Sequence, residues 1–213
     1  MRLGPRELLE RSRELFDETL DARSLQGLAP LAGAFLPWTS STMRPAAILA
    51  VLSEIVINQR CTIVECGSGN STVFAARLFA QHELDGHVHS LDHDGDWAAL
   101  TARAIAREKL ERFATVTHAP LVDGWYDTTR VPDCRDIDLL VIDGPPAYER
   151  GLERAREPAL DFFWDRLAPG AAVILDDAGR NSERGVLAAW EERHAIRFRS
   201  QPGGHAVGRV GGR

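Results

Sequence analysis

The hydrophobic positions of the chain follow two periods in turn. In RELLERSRELFDETL, residues 6–20, Leu8, Leu9, Leu15, Phe16 and Leu20 recur at roughly helical spacing and predict an amphipathic helix. The following stretch, LAPLAGAFLPWTSSTMRP (28–45), carries three prolines and a Thr-Ser-Ser-Thr run, so it reads as a structured connection. Pro45 then opens a second helix, AAILAVLSEIVINQ, because proline is tolerated where the first-turn N–H has no intrahelical partner. From Cys61 onward short apolar runs predict strands: TIVEC (62–66), HVHSL (87–91), ATVTH (114–118), IDLLVID (137–143) and AAVIL (171–175). Helical segments separate them at 71–82, 95–112, within 147–167, and at 182–193. Two last runs, AIRFR (195–199) and HAVGRV (205–210), flank a Gln-Pro-Gly-Gly turn and predict a terminal hairpin. Strands alternating with helices imply an α/β fold with a mostly parallel sheet covered on both faces.

Length and composition narrow this further. The 213 residues, 44% of them hydrophobic, suit a single domain: an N-terminal helix and a segment by which substrate or cofactor would enter (1–45), then the α/β core (46–213). No apolar run approaches the roughly 20 residues that cross a bilayer, and the charged N-terminus lacks a signal peptide's apolar stretch. The expected location is the cytoplasm. Cys61, Cys66 and Cys134 form no CxxC pair and read as reduced thiols. A net charge of −6 argues against nucleic acid as a partner. The segment from Arg180 to Arg213 has seven arginines against three acids, which reads as a solvated face that an anionic substrate could also use. The N-terminal helix can pack on its own domain or on a second copy, leaving a homodimer open.

Open α/β sheets bind ligands beyond the C-terminal ends of their strands, so the residues there are the candidates for chemistry. After the first strand the chain reads Glu65-Cys66-Gly67-Ser68-Gly69-Asn70-Ser71-Thr72. Glycines at 67 and 69 permit a sharp turn and close approach to a ligand, and the next helix offers free N–H groups at its start. Asp92 ends the second strand, 25 residues after Gly67, near the spacing at which an acid meets a ribose diol. The structural alternatives are a plain tight turn and a helix N-cap, a role Asp94 or Asp96 fills equally well. Together the loop and Asp92 favour a ribose-containing cofactor.

VECGSGNST, then SLDHD, then LLVIDGPP resemble the class I S-adenosylmethionine-dependent methyltransferases over about residues 36–177. The nearest group is an uncharacterised bacterial branch carrying an LPWTSSTMRP-like segment. The resemblance implies a Rossmann-like seven-stranded sheet with the C-terminal antiparallel hairpin. It also implies that Glu65 opens the first cofactor motif, that Gly67, Ser68, Gly69, Ser71 and Thr72 hold the methionine part, and that Asp92 holds the ribose. Thr72 stands where dinucleotide enzymes place a third glycine, which disfavours a nicotinamide cofactor. After the third strand comes His118-Ala119-Pro120-Leu121, without the acid or amide that many relatives use for adenine. Leu121 and His93 are assigned to that pocket instead.

The fourth strand ends in Asp143-Gly144-Pro145-Pro146 and the fifth in Asp176-Asp177. Similarity to the metal-dependent O-methyltransferases of this fold implies that Asp143, Asp176 and Asp177 bind magnesium or another divalent cation. Three carboxylates suit a hard ion, which would acidify a substrate hydroxyl. The structural alternative has Asp176 and Asp177 capping a helix and Asp143 bonding cofactor or loop amides. Asp143 and Asp176 are the candidate catalytic residues, with Asp143 or a nearby His as the base. Trp38, Trp125 and Tyr126 line a substrate pocket or anchor packing. Trp97, Trp164 and Trp190 are expected in or near the core. His205 is expected on the hairpin surface, with a role as base if the hairpin folds over the site as the alternative, and Arg150, Arg154 and Arg156 on a solvated face, with a grip on a carboxylate or phosphate as theirs. The resulting expectation is methyl transfer from S-adenosylmethionine to the oxygen of a small molecule. The alternatives are an N- or protein methyltransferase, a nicotinamide-dependent oxidoreductase, and a cofactor-binding protein without catalysis.

Overall fold

The computed structural model describes residues 4–148 and 151–211. In chain order the elements are α1 (Pro5–Leu28), α2 (Pro45–Ile57), β1 (Thr62–Cys66), α3 (Asn70–Gln81), β2 (His87–Asp92), α4 (Gly95–Arg107), β3 (Ala114–His118), β4 (Leu121–Val122), β5 (Trp125–Tyr126), β6 (Ile137–Ile142), α5 (Pro158–Phe163), β7 (Leu167–Leu175), α6 (Asn181–Arg193), β8 (Phe198–Ser200) and β9 (Ala206–Arg209). Seven strands form one sheet in the order β3-β2-β1-β6-β7-β9-β8, and β4 and β5 form a separate two-stranded ribbon. The first five strands of the sheet are parallel. β9 then runs antiparallel to both β7 and β8. The expected seven-stranded Rossmann-like sheet with its terminal hairpin is present.

Because side chains alternate across a strand, each central strand supplies two cores. Ile63, Leu139 and Val141 face a layer built from α2, α3 and the end of α4. Val64, Leu140 and Ile142 face the opposite layer, built from α5, α6 and the β4–β5 ribbon. Near-continuous apolar runs such as LLVI are what a strand covered on both faces requires. The antiparallel hairpin extends the sheet beyond β7, where parallel pairing would demand another long crossover.

Several boundaries depart from expectation for local reasons. α1 runs on to Leu28, whose side chain is buried against the α2 layer, and Arg44 ties the helix down through Asp21 at 2.7 Å. This packs α1 on its own chain, while Leu8, Leu15, Phe16 and Leu25 remain exposed on it. α4 stops at Arg107 instead of 112, and Lys109 takes a left-handed conformation (φ 58°) that ends the helical run. β7 starts earlier than AAVIL, since Leu167 already pairs with Ile137. A register shift and Gly170 at φ 76° separate that start from the apolar run. Among the described residues no helix is long and apolar enough to cross a membrane. All three cysteines are free thiols.

Candidate functional site

The C-terminal ends of β1, β2, β6 and β7 open into one cavity of about 960 Å³. Its walls include Gly67, Ser68, Asp92, His93, Asp143, Asp176 and Asp177 of the sequence-predicted set, with Trp97, Arg44, Arg156, Arg180 and the Thr39–Thr42 stretch. The volume falls in the range, about 300–1,000 Å³, typical of small-molecule and cofactor sites.

The glycine loop is held by the strands on both sides of β1. Gly67 sits at φ 98°, donates its N–H to Leu91 O at 2.8 Å, and leaves no room for a Cβ, which would meet Gly144 N at 2.9 Å. Gly69 differs. Its backbone is extended, and a Cβ there would meet nothing nearer than Trp97 Nε1 at 3.7 Å. The protein's own packing therefore demands glycine at 67 and leaves the backbone at 69 open, although Gly69 and Asn70 line a neighbouring cavity with Pro37 and Trp97 and are not among the residues lining the strand-end cavity. The first N–H groups of α3, beginning at Asn70, follow directly and lack intrahelical acceptors.

Asp92 is 4% exposed and fastens this loop: Oδ2 accepts from Ser68 N at 2.9 Å and Ser68 Oγ at 2.6 Å, and Oδ1 from Asp94 N at 3.0 Å. Burial raises its pKa. Hydrogen bonds from His93, Ser68 and the backbone of Asp94 and Ser68 outweigh that and hold the carboxyl below its ordinary value. His93 Nδ1 stands 3.5 Å from Oδ1 as well, so the carboxylate is partnered on both oxygens within the protein. The N-cap of α4 falls to Asp94, which accepts from Asp96 N and Trp97 N. Trp97, expected in or near the core, also donates Nε1 to Ser68 O at 2.7 Å.

Glu65, Ser71 and Thr72 lie behind the loop. Thr72 is fully buried, accepts from Gly69 N at 3.0 Å and donates in a short hydrogen bond to Glu65, which also accepts from Ser90 Oγ at 2.9 Å. Burial pushes Glu65 up to about 7, against the lowering by the hydroxyls of Ser71, Thr72 and Ser90. Thr72 thus acts as the brace between the first motif and β1. Leu121 lies on the β4–β5 ribbon and is not among the residues lining the cavity.

At the other side of the cavity Asp143 and Gly144 both donate backbone N–H to Cys66 O, at 2.8 and 2.6 Å. Asp143, Asp176 and Asp177 come together, each offering an oxygen within 4.8 Å of the others. Burial and the charge of Asp177 push Asp143 up to about 6, and burial with the charges of Asp143 and Asp177 pushes Asp176 upward. Neither Asp176 nor Asp177 caps α6, whose N-cap is Arg180. The expectation for Arg156 is corrected: it is 4% exposed, with Nη1 3.2 Å from Asp177 Oδ2 and Nη2 3.5 Å from Asp143 Oδ1. In number and spacing the carboxylates suit a hard cation, but a buried guanidinium already contacts two of them, and to that extent the donor set does not fit a divalent ion. Arg154 is exposed and pairs with Glu157, and Arg150 lies outside the described residues.

Trp125 and Tyr126 prove to be packing residues of the second core, and Tyr126 Oη is buried without a partner. Trp38 is exposed and tilts against Phe74, with ring centroids 6.4 Å apart. Trp190 is fully buried, while Trp97 and Trp164 are half-buried. His205, expected at the surface, is 4% exposed because β9 inserts between β7 and β8. It lines a separate groove with Glu54 and Arg209, away from Asp143.

A family model described as a methyltransferase domain matches residues 64–178, which run from β1 to the end of β7 and its aspartates. No curated protein matches the chain in sequence. Among solved structures, an SAH-bound methyltransferase from Podospora anserina superposes with a TM-score of 0.66 at 11% identity, covering 99% of this chain and 98% of that one. An O-methyltransferase from Bacillus cereus in complex with SAH gives 0.60 at 18% identity, with 90% of each chain covered. The O-methyltransferase TomG of Streptomyces achromogenes, involved in tomaymycin synthesis and solved with SAM, gives 0.55 at 15% identity, covering 91% of this chain and 90% of that one. At these identities the likeness is one of fold.

Proposed function

This chain belongs to the methyltransferase-domain family, and we propose that it is a cytoplasmic S-adenosylmethionine-dependent O-methyltransferase acting, as a single domain, on a small molecule. One observation carries the reading. The cavity at the strand ends joins the glycine loop and Asp92 on one wall to Asp143 and its neighbours on the other, so a cofactor and an acceptor can meet within it. The SAM- and SAH-bound neighbours, two of them O-methyltransferases, support the same choice.

When bound, S-adenosylmethionine supplies an electrophilic methyl group for in-line displacement. The residues of the chain bind, align and deprotonate. The open backbone at Gly69 and the start of α3 receive the amino-acid end. Asp92, on the cavity wall, takes a ribose hydroxyl, and its bonds to Ser68 keep the loop in the receiving shape. His93 lines the adenine side. Holding the acceptor oxygen in line can supply as much as about 7–11 kcal/mol of the barrier reduction. Asp143 accepts the acceptor's hydroxyl proton at its carboxylate, a general-base contribution of roughly 10²–10⁴-fold. Because Arg156 stands among the carboxylates, the charge beside this proton step comes from the chain's own guanidinium.

The proposal includes no nucleic-acid partner, in keeping with the net charge of −6. The fourth strand ends Asp-Gly-Pro-Pro instead of the Asn-Pro-Pro-Tyr type found in many amino-group methyltransferases, which tilts the acceptor toward oxygen. The test is transfer of isotope-labelled methyl from S-adenosylmethionine to a panel of phenols, catechols and aliphatic alcohols, with matched amines as controls. Label on hydroxyl compounds supports the reading. Label confined to amines overturns the choice of oxygen, and no label on any acceptor overturns the enzyme.

A further inference from the structure

The aspartates at the ends of β6 and β7 have the spacing of a cation site, yet the protein places its own cation there. Arg156 reaches them from the segment just before α5 and is fixed from several directions. Its Nε donates to Pro145 O at 3.1 Å and its Nη1 to Asp176 O at 3.2 Å, while the two Nη atoms face Asp177 and Asp143 at 3.2 and 3.5 Å. Nη1 is also 3.9 Å from Glu183 Oε1, a buried oxygen with no hydrogen-bond partner. From the more exposed side Arg180 Nη1 comes within 2.8 Å of Asp177 Oδ2.

The physical consequences are specific. A guanidinium does not lose its proton, so the positive charge is permanent. At 4% exposure it is shielded little by water, and a divalent ion seated on the same carboxylates would lie against it. The two carbonyl contacts hold the planar fork in place, so Arg156 cannot swing out without giving up Pro145 O and Asp176 O together with its contacts to Asp143 and Asp177.

We infer that Arg156 is the resident counter-cation of the Asp143–Asp176–Asp177 cluster, taking the place a divalent metal would occupy, so that the cluster binds no such metal. Resting on the methyltransferase reading, it follows that Arg156 is a positioning residue: it orients Asp143 toward the acceptor, and methyl transfer proceeds without added metal. The metal half of the inference stands without that reading.

The test is titration of the ligand-free, full-length wild type with Mn²⁺, followed by calorimetry and by the paramagnetic resonance signal of free Mn²⁺. Wild type and Arg156→Lys are expected to show no saturable binding at millimolar metal. Arg156→Met, checked for folding by circular dichroism, is expected to bind Mn²⁺ at least about tenfold more tightly than wild type, and Asp176→Asn in that background should abolish the gain. Saturable wild-type binding that Asp176→Asn removes would overturn the inference, as would a folded Arg156→Met with no gain. Should Arg156→Met not fold, the wild-type titration decides alone. A metal-free wild type that transfers no methyl group to any acceptor refutes the functional reading and leaves the counter-cation intact, whereas transfer lost to chelator and restored by Mn²⁺ counts against the counter-cation alone.

Discussion

Ser68 donates both its backbone N–H and its hydroxyl to one oxygen of Asp92, at 2.9 and 2.6 Å, and so the end of β2 sets the shape of the loop that follows β1. Charge-assisted bonds of this kind are about twice as strong as neutral ones. Ser68→Ala removes one of the two and is expected to lower stability by about 1–2 kcal/mol and weaken S-adenosylmethionine binding several-fold. Chemical denaturation and calorimetry on the same variant check both effects.

Trp97 supports that loop from α4. Trp97→Phe removes its Nε1 bond to Ser68 O at 2.7 Å and part of the ring's volume while an aromatic side chain is kept. The expected loss is roughly 0.5–1.5 kcal/mol of stability. Cofactor affinity should fall with it, and an unchanged affinity would separate the indole from the loop's function.

Glu65 gives a pH dependence with a definite sign. Its native pKa is about 7 against an ordinary 4.5, so across that window the folded chain holds a proton that the unfolded chain has lost. Stability contributed by the protonated form is therefore complete below about 4.5 and falls as pH rises toward 7. At about 1.4 kcal/mol per unit the decline is on the order of 3 kcal/mol, and Glu65→Gln should remove that slope. Denaturant unfolding of both proteins below, within and above the window measures it. Parallel slopes would contradict the assignment.

Tyr126 Oη is buried with no partner, and it is the atom that a Cβ on Gly144 would meet at 2.5 Å. Tyr126→Phe removes a desolvated hydroxyl and should raise stability by about 1 kcal/mol, leaving cofactor affinity unchanged. Gly144→Ala should destabilise wild type, and by less in the Tyr126→Phe background. Thermal melts of the two single variants and the double variant test this coupling.

The sequence revealed the parts of the site that depend on neighbours in the chain. Gly67 needs its left-handed turn, Asp92 ends a strand of its own, and Asp143 follows an apolar run, so each carries a local signal. Arg156 has none. Its hydrogen-bond partners lie 11, 13, 20 and 21 positions away, and within RGLERAREP it looks like any surface arginine until folding brings the ends of β6 and β7 around it. The β4–β5 ribbon, two residues per strand, is too short to show a period, which is why Trp125 and Tyr126 could be read as pocket or as core. His205 carries a misleading local signal, because hairpin residues next to a Gly-Gly turn are normally exposed, whereas this hairpin joins the sheet through β9.

The central claim is that the cavity between the glycine loop and Asp143 holds S-adenosylmethionine. Calorimetric titration of the cofactor into wild type and Asp92→Ala tests it most directly, with Asp92→Asn to keep the shape of the side chain. The account predicts saturable 1:1 binding to wild type, weakened by about 10²-fold or more in Asp92→Ala, for a loss on the order of 3 kcal/mol, and partly kept in Asp92→Asn. No binding to folded wild type, or equal binding to folded Asp92→Ala, would contradict it.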